Sequence, residues 1–399
     1  MLNTLAAELR SARDSTDRLF SLVAPEGLYE RSIPERHRLI FYLGHLEAFD
    51  WNLVRTAIDV PAFHPGFDRL FAFGIDPEPG KAAADSPSDW PSTAEIGDYN
   101  RRTRETIDRL LPEIPEQLTN VAIEHRLMHA ETFAYLMHSL PYDRKITGPS
   151  KSAIAARAVS SEMIDVPAGP ATLGRSRDRF GWDNEFNEHR IEVPAFRISK
   201  YKVTNGDYLA YVREGAKPPH FWDRAGEKWL YRGMFESIPL PLDWPVYVTH
   251  DEANAYAQWR GMSLPTEAQF HRAAYATQEG TEREFPWGDN PAAKSAPVFD
   301  FARWDPAPVT ASSETDSALG VSQLVGNGWE WTSTTFGPFP GFEPFPFYMG
   351  YSRDFFDGAH YVIKGASPRT ASRFLRRSFR NWFRPNYPYV YATFRLVEN

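Results

Sequence analysis

His125 and His129 stand four residues apart in the proline-free run Ile123-Glu-His-Arg-Leu-Met-His-Ala-Glu-Thr132. On a helix, positions i and i+4 share one face, so the two imidazoles point the same way. Two neutral imidazoles turned inward are half of a metal site. The bland alternative is a pair of core histidines that fall at this spacing without ligand duty. A third histidine, His45, lies in Tyr42-Leu-Gly-His-Leu-Glu-Ala-Phe-Asp-Trp51, and a helix turning it toward the pair would close a three-imidazole face. The chain has no cysteine, which removes thiolate ligands and a zinc-finger role. Three nitrogens with open positions suit Fe(II), Zn(II) or Cu(II), and histidine count does not choose among them. An imidazole must be deprotonated to bind, so at an ordinary pKa of about 6.5 metal affinity is expected to fall below that pH.

Helices must position these side chains. Leu118, Val121, Ala122, Leu127, Phe133, Leu136 and Met137 recur at helical intervals between Glu116 and Leu140, and Tyr42, Leu46, Phe49 and Leu53 do so between Pro34 and Ile58. Two further helices are expected at 4–23 and 93–111, with Pro34 and the capping box Ser92-Thr-Ala-Glu95 as start signals. Four long helices predict an up-and-down bundle over residues 1–145, an architecture that builds metal sites from inward side chains. The stretch 61–91, rich in Pro, Gly and Asp and carrying Phe63, His64, Phe67, Phe71 and Phe73, is too long for a plain connector and is expected to cover a site.

Residues 139–161 read as a linker, after which the pattern changes. Met163–Gly174 reads as strand and turn, Arg190–Ile198 alternates like a strand, and short helices are expected at 205–213 and 249–260. Short elements between Gly/Pro-rich loops predict a mixed α+β domain over 160–399. A length of 399 residues agrees with two domains. The aromatic residues, 12 Trp, 18 Tyr and 28 Phe over the whole chain, are densest in the last hundred residues, where they either line a small-molecule cleft or staple a loop-rich domain. With 52 acidic against 44 basic residues, the net charge of −8 gives no electrostatic footprint for nucleic acid or an anionic membrane. No apolar run reaches the length of a membrane span and no signal-peptide core opens the chain, so a cytoplasmic location is expected.

Several phrases of the second half resemble one family. Asp183-Asn-Glu with His189 and Val193-Pro-Ala-Phe, Lys202-Val-Thr-Asn, Ser263-Leu-Pro-Thr-Glu-Ala-Gln-Phe, Phe285-Pro-Trp-Gly-Asp, Leu324-Val-Gly-Asn-Gly-Trp-Glu-Trp-Thr and Phe394-Arg-Leu are similar to the formylglycine-generating-enzyme fold, which is C-type-lectin-like. The parent formylglycine-generating activity depends on cysteines, so it is excluded here. The helical region with His45, His125 and His129 resembles the DinB-like domain joined to that fold in the ergothioneine- and ovothiol-type sulfoxide synthases. This resemblance implies a mononuclear non-heme Fe(II) enzyme that uses dioxygen to join a sulfur or selenium donor to the imidazole of a histidine derivative, with His45, His125 and His129 as iron ligands.

The same resemblance implies a substrate wall from the second domain. Arg380-Asn-Trp-Phe-Arg-Pro-Asn-Tyr387 matches a family stretch whose Asn and aromatic contact the histidine betaine, hercynine. That makes Trp382 the expected cation-π partner of the trimethylammonium and Asn381 a polar contact; the alternative is a buried structural Trp. Relatives that accept gamma-glutamylcysteine carry Asp and Arg where this chain has Phe383 and Tyr387, and some carry a substrate-contacting Gln at Met128. Tyr348 and Tyr351 lie in the loop that supplies the family's proton-donating Tyr. An aromatic and a phenol in place of charges suit an uncharged sugar, and the compact chain resembles the selenoneine synthases, so a selenosugar donor is expected. The competing donors are cysteine or gamma-glutamylcysteine, with Arg384 serving a carboxylate. An ovothiol-type enzyme acting on free histidine is a further alternative, because Leu39-Ile-Phe-Tyr-Leu-Gly-His45 resembles that branch. A rival of another class is a non-catalytic binding module with structural zinc.

Overall fold

Five helices form in the first half, α1 (Leu2–Phe20), α2 (Leu39–Val54), α3 (Pro65–Phe73), α4 (Thr93–Leu110) and α5 (Glu116–Ser139). The structure, a computed structural model, describes residues 2–73, 85–146, 159–160, 162–290 and 298–398. The chain divides into two compact units, Met1–Ser150 and Lys151–Asn399. Most of the expected linker, residues 147–158, lies outside the described residues, as do 74–84 of the stretch 61–91.

In the first unit α2 packs against α3, α4 and α5, and α1 packs against α5. Both ligand-bearing helices, α2 and α5, are therefore enclosed and bury residues around most of their circumference. The α4 start is as expected: Ser92 Oγ accepts from the Glu95 N–H, and the Glu95 carboxylate accepts from the Ser92 N–H at 2.9 Å. The expected start of α2 at Pro34 needs correction, because the helix begins at Leu39. Arg38 is extended (φ −59°, ψ 152°). Its guanidinium donates to Asp85 at 2.7 Å and to the Tyr29 carbonyl at 2.8 Å, while the Leu39 N–H donates to Glu30. These tertiary bonds replace the helical turn that Pro34 would have opened. The long stretch 61–91 contains α3, an element the composition did not suggest.

The second unit is built of short strands: β1 (Met163–Val166), β2 (Gly169–Leu173), β3 (His189–Val193), β4 (Phe196–Ser199), β5 (Trp222–Ala225), β6 (Lys228–Arg232), β7 (Ser237–Pro239), β8 (Gly328–Thr335), β9 (Tyr361–Ala366), β10 (Asn381–Phe383), β11 (Ala392–Thr393) and β12 (Val397–Glu398). Helices α6 (Asn205–Arg213), α7 (His250–Trp259), α8 (Glu267–Tyr275) and α9 (Gly350–Arg353) lie between them. The strands order as β1-β4-β12, β10-β9-β8-β11, β2-β3 and β5-β6-β7. The single strand expected over 190–198 is two, β3 and β4, interrupted at Pro194, which cannot donate to a ladder. Phe270, Ala273 and Ala274 of α8 form a core with Val166, Ala171, Val193, Phe196, Ile198 and Leu324.

The phrases that carry the family resemblance meet as buried ionic joints. Glu330 on β8 binds Lys202 at 2.6 Å and Arg395 at 2.9 Å, all three fully buried. Glu267 opens α8 and receives Arg380 at 3.0 Å, which anchors the start of β10. Glu185 takes Arg376 at 2.5 Å and Ser378 at 2.7 Å. Buried charges persist only when paired in this way, so these motif residues fix the fold.

Candidate metal centre and aromatic wall

Within the first unit, α2 and α5 bring His45, His125 and His129 together, with one nitrogen of each within 4.8 Å of the others. His45 Nε2 lies 3.3 Å from His129 Nε2. Two nitrogens each about 2.1 Å from one ion stand about 3.0 Å apart at a right angle and about 3.4 Å apart at a tetrahedral one, so this spacing fits shared ligation. Nδ1 of His45 donates to the Phe71 carbonyl at 2.6 Å, which leaves Nε2 as a lone-pair donor. The buried Nδ1 atoms of His125 and His129 have no hydrogen-bond partner among the described residues. Phe49 lies flat on His125, with centroids 3.4 Å apart, and Phe41 stacks on His45 at 4.7 Å.

This packing sets the charge state. Burial lowers His45 to about 4, against the opposing effect of the Phe71 bond. Burial likewise takes His125 and His129 well below the ordinary histidine value, assisted by their histidine neighbours. All three are neutral at pH 7, the form that ligates metal. Proton competition therefore begins nearer pH 4 for His45, and the expectation of weakening from about 6.5 is corrected downward.

A buried ionic cluster beside the triad locks the two ligand helices together. Glu47, two residues after His45, accepts from Arg126 at 2.6 and 3.0 Å, and Arg126 is the residue after His125. Arg126 also binds Asp50 at 2.8 Å. Glu47 receives Arg104 of α4 at 2.6 Å, and Arg104 reaches Asp17 of α1 at 2.6 Å. Burial disfavours the Glu47 carboxylate, but Arg126 and Arg104 outweigh it and hold the group down at about 2. Nothing in the spacing of the histidines foretold this cluster, although Glu47, Asp50 and Arg126 on apolar helices were a visible signal. Met128, on the same helix as the histidine pair, is half-buried.

In the second unit, Trp382 lies flat on Phe336, and Tyr351 and Phe355 meet it at 5.4 and 5.5 Å. Behind Phe336 stands the Arg380 guanidinium, 5.0 Å from the ring centroid. Tyr351 stacks on Trp182 at 4.0 Å, and Tyr348 is 5.5 Å from Tyr351. Burial, with Asp183 nearby, pushes the Tyr348 phenol up to about 12, so it keeps its proton at pH 7. The Asn381 side-chain oxygen accepts from the Trp382 N–H at 2.8 Å, which leaves the amide nitrogen as its donor.

The expected substrate residues do not all gather. Successive strand residues face opposite ways, and Phe383 belongs to a separate stack with Tyr387, 5.4 Å apart and 9° from parallel, continued by Tyr389. Arg384 is largely exposed, 3.9 Å from Asp357. Sequence reasoning missed Phe336, Phe355 and Trp182, whose only signal was the aromatic density of the region.

Residues 150–399 match the sulfatase-modifying factor enzyme 1-like domain. The chain is 32% identical to a hercynine oxygenase of Mycolicibacterium smegmatis over 99% of this chain and 98% of that protein. It is 29% identical to ergothioneine biosynthesis protein 1 of Neurospora crassa over 95% of this chain, which spans 56% of that longer relative. The formylglycine-generating enzyme of Bos taurus is 25% identical over 48% of this chain and 63% of that protein. Among the described residues no helix is long and apolar enough to cross a membrane. The chain belongs to the sulfatase-modifying factor enzyme 1-like family and is an enzyme of its oxidative, ergothioneine-type branch.

Proposed function

We propose that this chain is an Fe(II)- and dioxygen-dependent enzyme that joins hercynine to a selenosugar and so leads to selenoneine. In this reading residues 1–145 are a DinB-like iron domain and 160–399 the substrate domain. The observation that carries it is the cluster of three neutral imidazoles, two buried and one half-buried, in a chain whose full-length relative is named a hercynine oxygenase. Bound Fe(II) would supply open positions for dioxygen and a soft donor. His45, His125 and His129 would hold it without adding charge.

The overall step balances as imidazole C–H plus selenol Se–H plus O2, giving a C–Se bond with selenoxide oxygen and one water. Both hydrogens leave in the water, and dioxygen takes the four electrons. Elimination of the sugar from the selenoxide then leaves a selenenic acid on the imidazole, and two thiol equivalents reduce it to selenoneine, giving up two electrons as a disulfide and releasing the selenenic oxygen as water. Trp382, with Tyr351 and Phe355 beside it, offers ring faces to a trimethylammonium that has no proton to donate. Tyr348, protonated at neutral pH, is assigned proton donation, with Tyr351 as its neighbour. Phe383 and Tyr387 favour an uncharged donor, because burying a dicarboxylate without partners costs several kcal/mol.

A second reading, a sulfoxide synthase using cysteine or gamma-glutamylcysteine, is favoured by Arg384, whose largely exposed guanidinium, now 3.9 Å from Asp357, could turn to a donor carboxylate. Competition decides: Fe(II)-loaded protein receives oxygen, hercynine and equal concentrations of selenosugar, cysteine and gamma-glutamylcysteine, with products read by mass spectrometry. A higher specificity constant for either thiol defeats the selenosugar reading. Zinc retained after iron reconstitution, with no oxygen uptake on any histidine derivative, defeats the enzymatic assignment of the metal centre.

A further inference from the structure

We infer that Gly44 and Phe71 are positioning residues for the metal centre: the bare backbone of Gly44 lets α3 dock closely enough for the Phe71 carbonyl to hold His45 with its proton on Nδ1 and Nε2 turned to the ion. The inference rests on the metal-centre reading and concerns residues outside the ligand set.

Three observations support it. A Cβ built on Gly44 would stand 2.5 to 2.6 Å from three atoms of the Phe71 ring, and that ring is fully buried, so a methyl group there must displace it. Phe71 lies in the last turn of α3, where carbonyls lack an intrahelical N–H partner, and its oxygen takes the His45 Nδ1–H instead. Finally, α3 is tied at Asp68, whose carboxylate accepts from the Tyr99 hydroxyl at 2.8 Å and whose carbonyl accepts from Asn52 at 3.0 Å. With the helix pinned there, a displaced ring carries the Phe71 carbonyl with it. Gly in the middle of α2 opposes helix propensity, and this close approach supplies its reason. A partner on the second nitrogen of a ligating His fixes its tautomer and orientation, and losing one typically costs 10- to 100-fold in metal affinity.

The test titrates Co(II) into metal-free wild type, Gly44→Ala, Phe71→Ala and the double variant, reading the visible bands of bound Co(II). Gly44→Ala should bind about 10- to 100-fold more weakly, and removing the ring in the double variant should restore affinity to that of Phe71→Ala alone, a rescue that general destabilisation does not produce. Unchanged affinity in Gly44→Ala, or a double variant no better than it, overturns the inference while leaving the metal centre intact. Failure of the wild type to bind Co(II) overturns the metal-centre reading itself. Nitrogen-15 NMR of histidine-labelled, metal-free wild type decides independently should Gly44→Ala fail to fold. The His45 signal, assigned by its loss in His45→Gln, must report the Nδ1–H tautomer; an Nε2–H signal overturns the inference.

Discussion

Phe336 lies flat against Trp382, with centroids 4.1 Å apart and planes 8° from parallel, so a ring covers one face of the indole. A desolvated cation-π contact is worth about 2 kcal/mol, roughly thirtyfold in binding. Trp382→Ala should therefore raise the Michaelis constant for hercynine about thirtyfold while changing that for free histidine little. Equal effects on the two substrates would count against the betaine assignment.

Each of His45→Ala, His125→Ala and His129→Ala should abolish turnover and lose iron on dialysis. Metal analysis after reconstitution checks this, and full occupancy in all three variants removes the proposed ligand set.

The pH dependence of stability has a definite sign. Unfolded histidines titrate near 6.5, whereas folded His45 is lowered to about 4. Between those values the unfolded chain holds more protons, so metal-free stability is greatest above pH 6.5 and declines as pH falls toward 4. His45 alone accounts for a loss on the order of 3 kcal/mol. Urea midpoints at pH 7.5 and 5.0 measure the decline, and His45→Gln should make it shallower; an identical decline in that variant refutes the attribution.

Glu47→Ala should cost about 3–5 kcal/mol, because Arg126 remains buried with only Asp50 opposite it. Calorimetry should show the loss as a lower unfolding temperature, and a change below about 1 kcal/mol would show that the cluster is dispensable.

Tyr348→Phe should lower kcat with little change in the Michaelis constant for hercynine, as expected for an interaction made only in the transition state. An unaltered kcat would exclude Tyr348 as proton donor.

Helical periodicity made α5 legible in the sequence, the capping box at Ser92 made the start of α4 so, and the i, i+4 spacing of His125 and His129 made their shared face legible too. The start of α2 was not, because Arg38 answers to Asp85 and Tyr29, residues that no local pattern connects to it. α3 escaped notice because its nine residues sit in a Pro- and Gly-rich stretch. The adjacency of Trp382 and Phe383 suggested one substrate wall, yet the period of a strand divides them between two aromatic stacks. The Glu47 cluster depends on contacts across 57 and 79 residues, beyond any motif window.

The two helices that carry the triad also set an order of assembly. His125 and His129 form a two-pronged clip as soon as α5 winds, whereas His45 lies 84 residues upstream of His129 and arrives only when α2 docks. A divalent ion present during refolding needs only α5 to meet the two-nitrogen clip, and copper, which nitrogen sites bind more tightly than iron, gains most from it. Recombinant chain should therefore be folded under chelation and given its chosen metal afterwards, when all three nitrogens are in place.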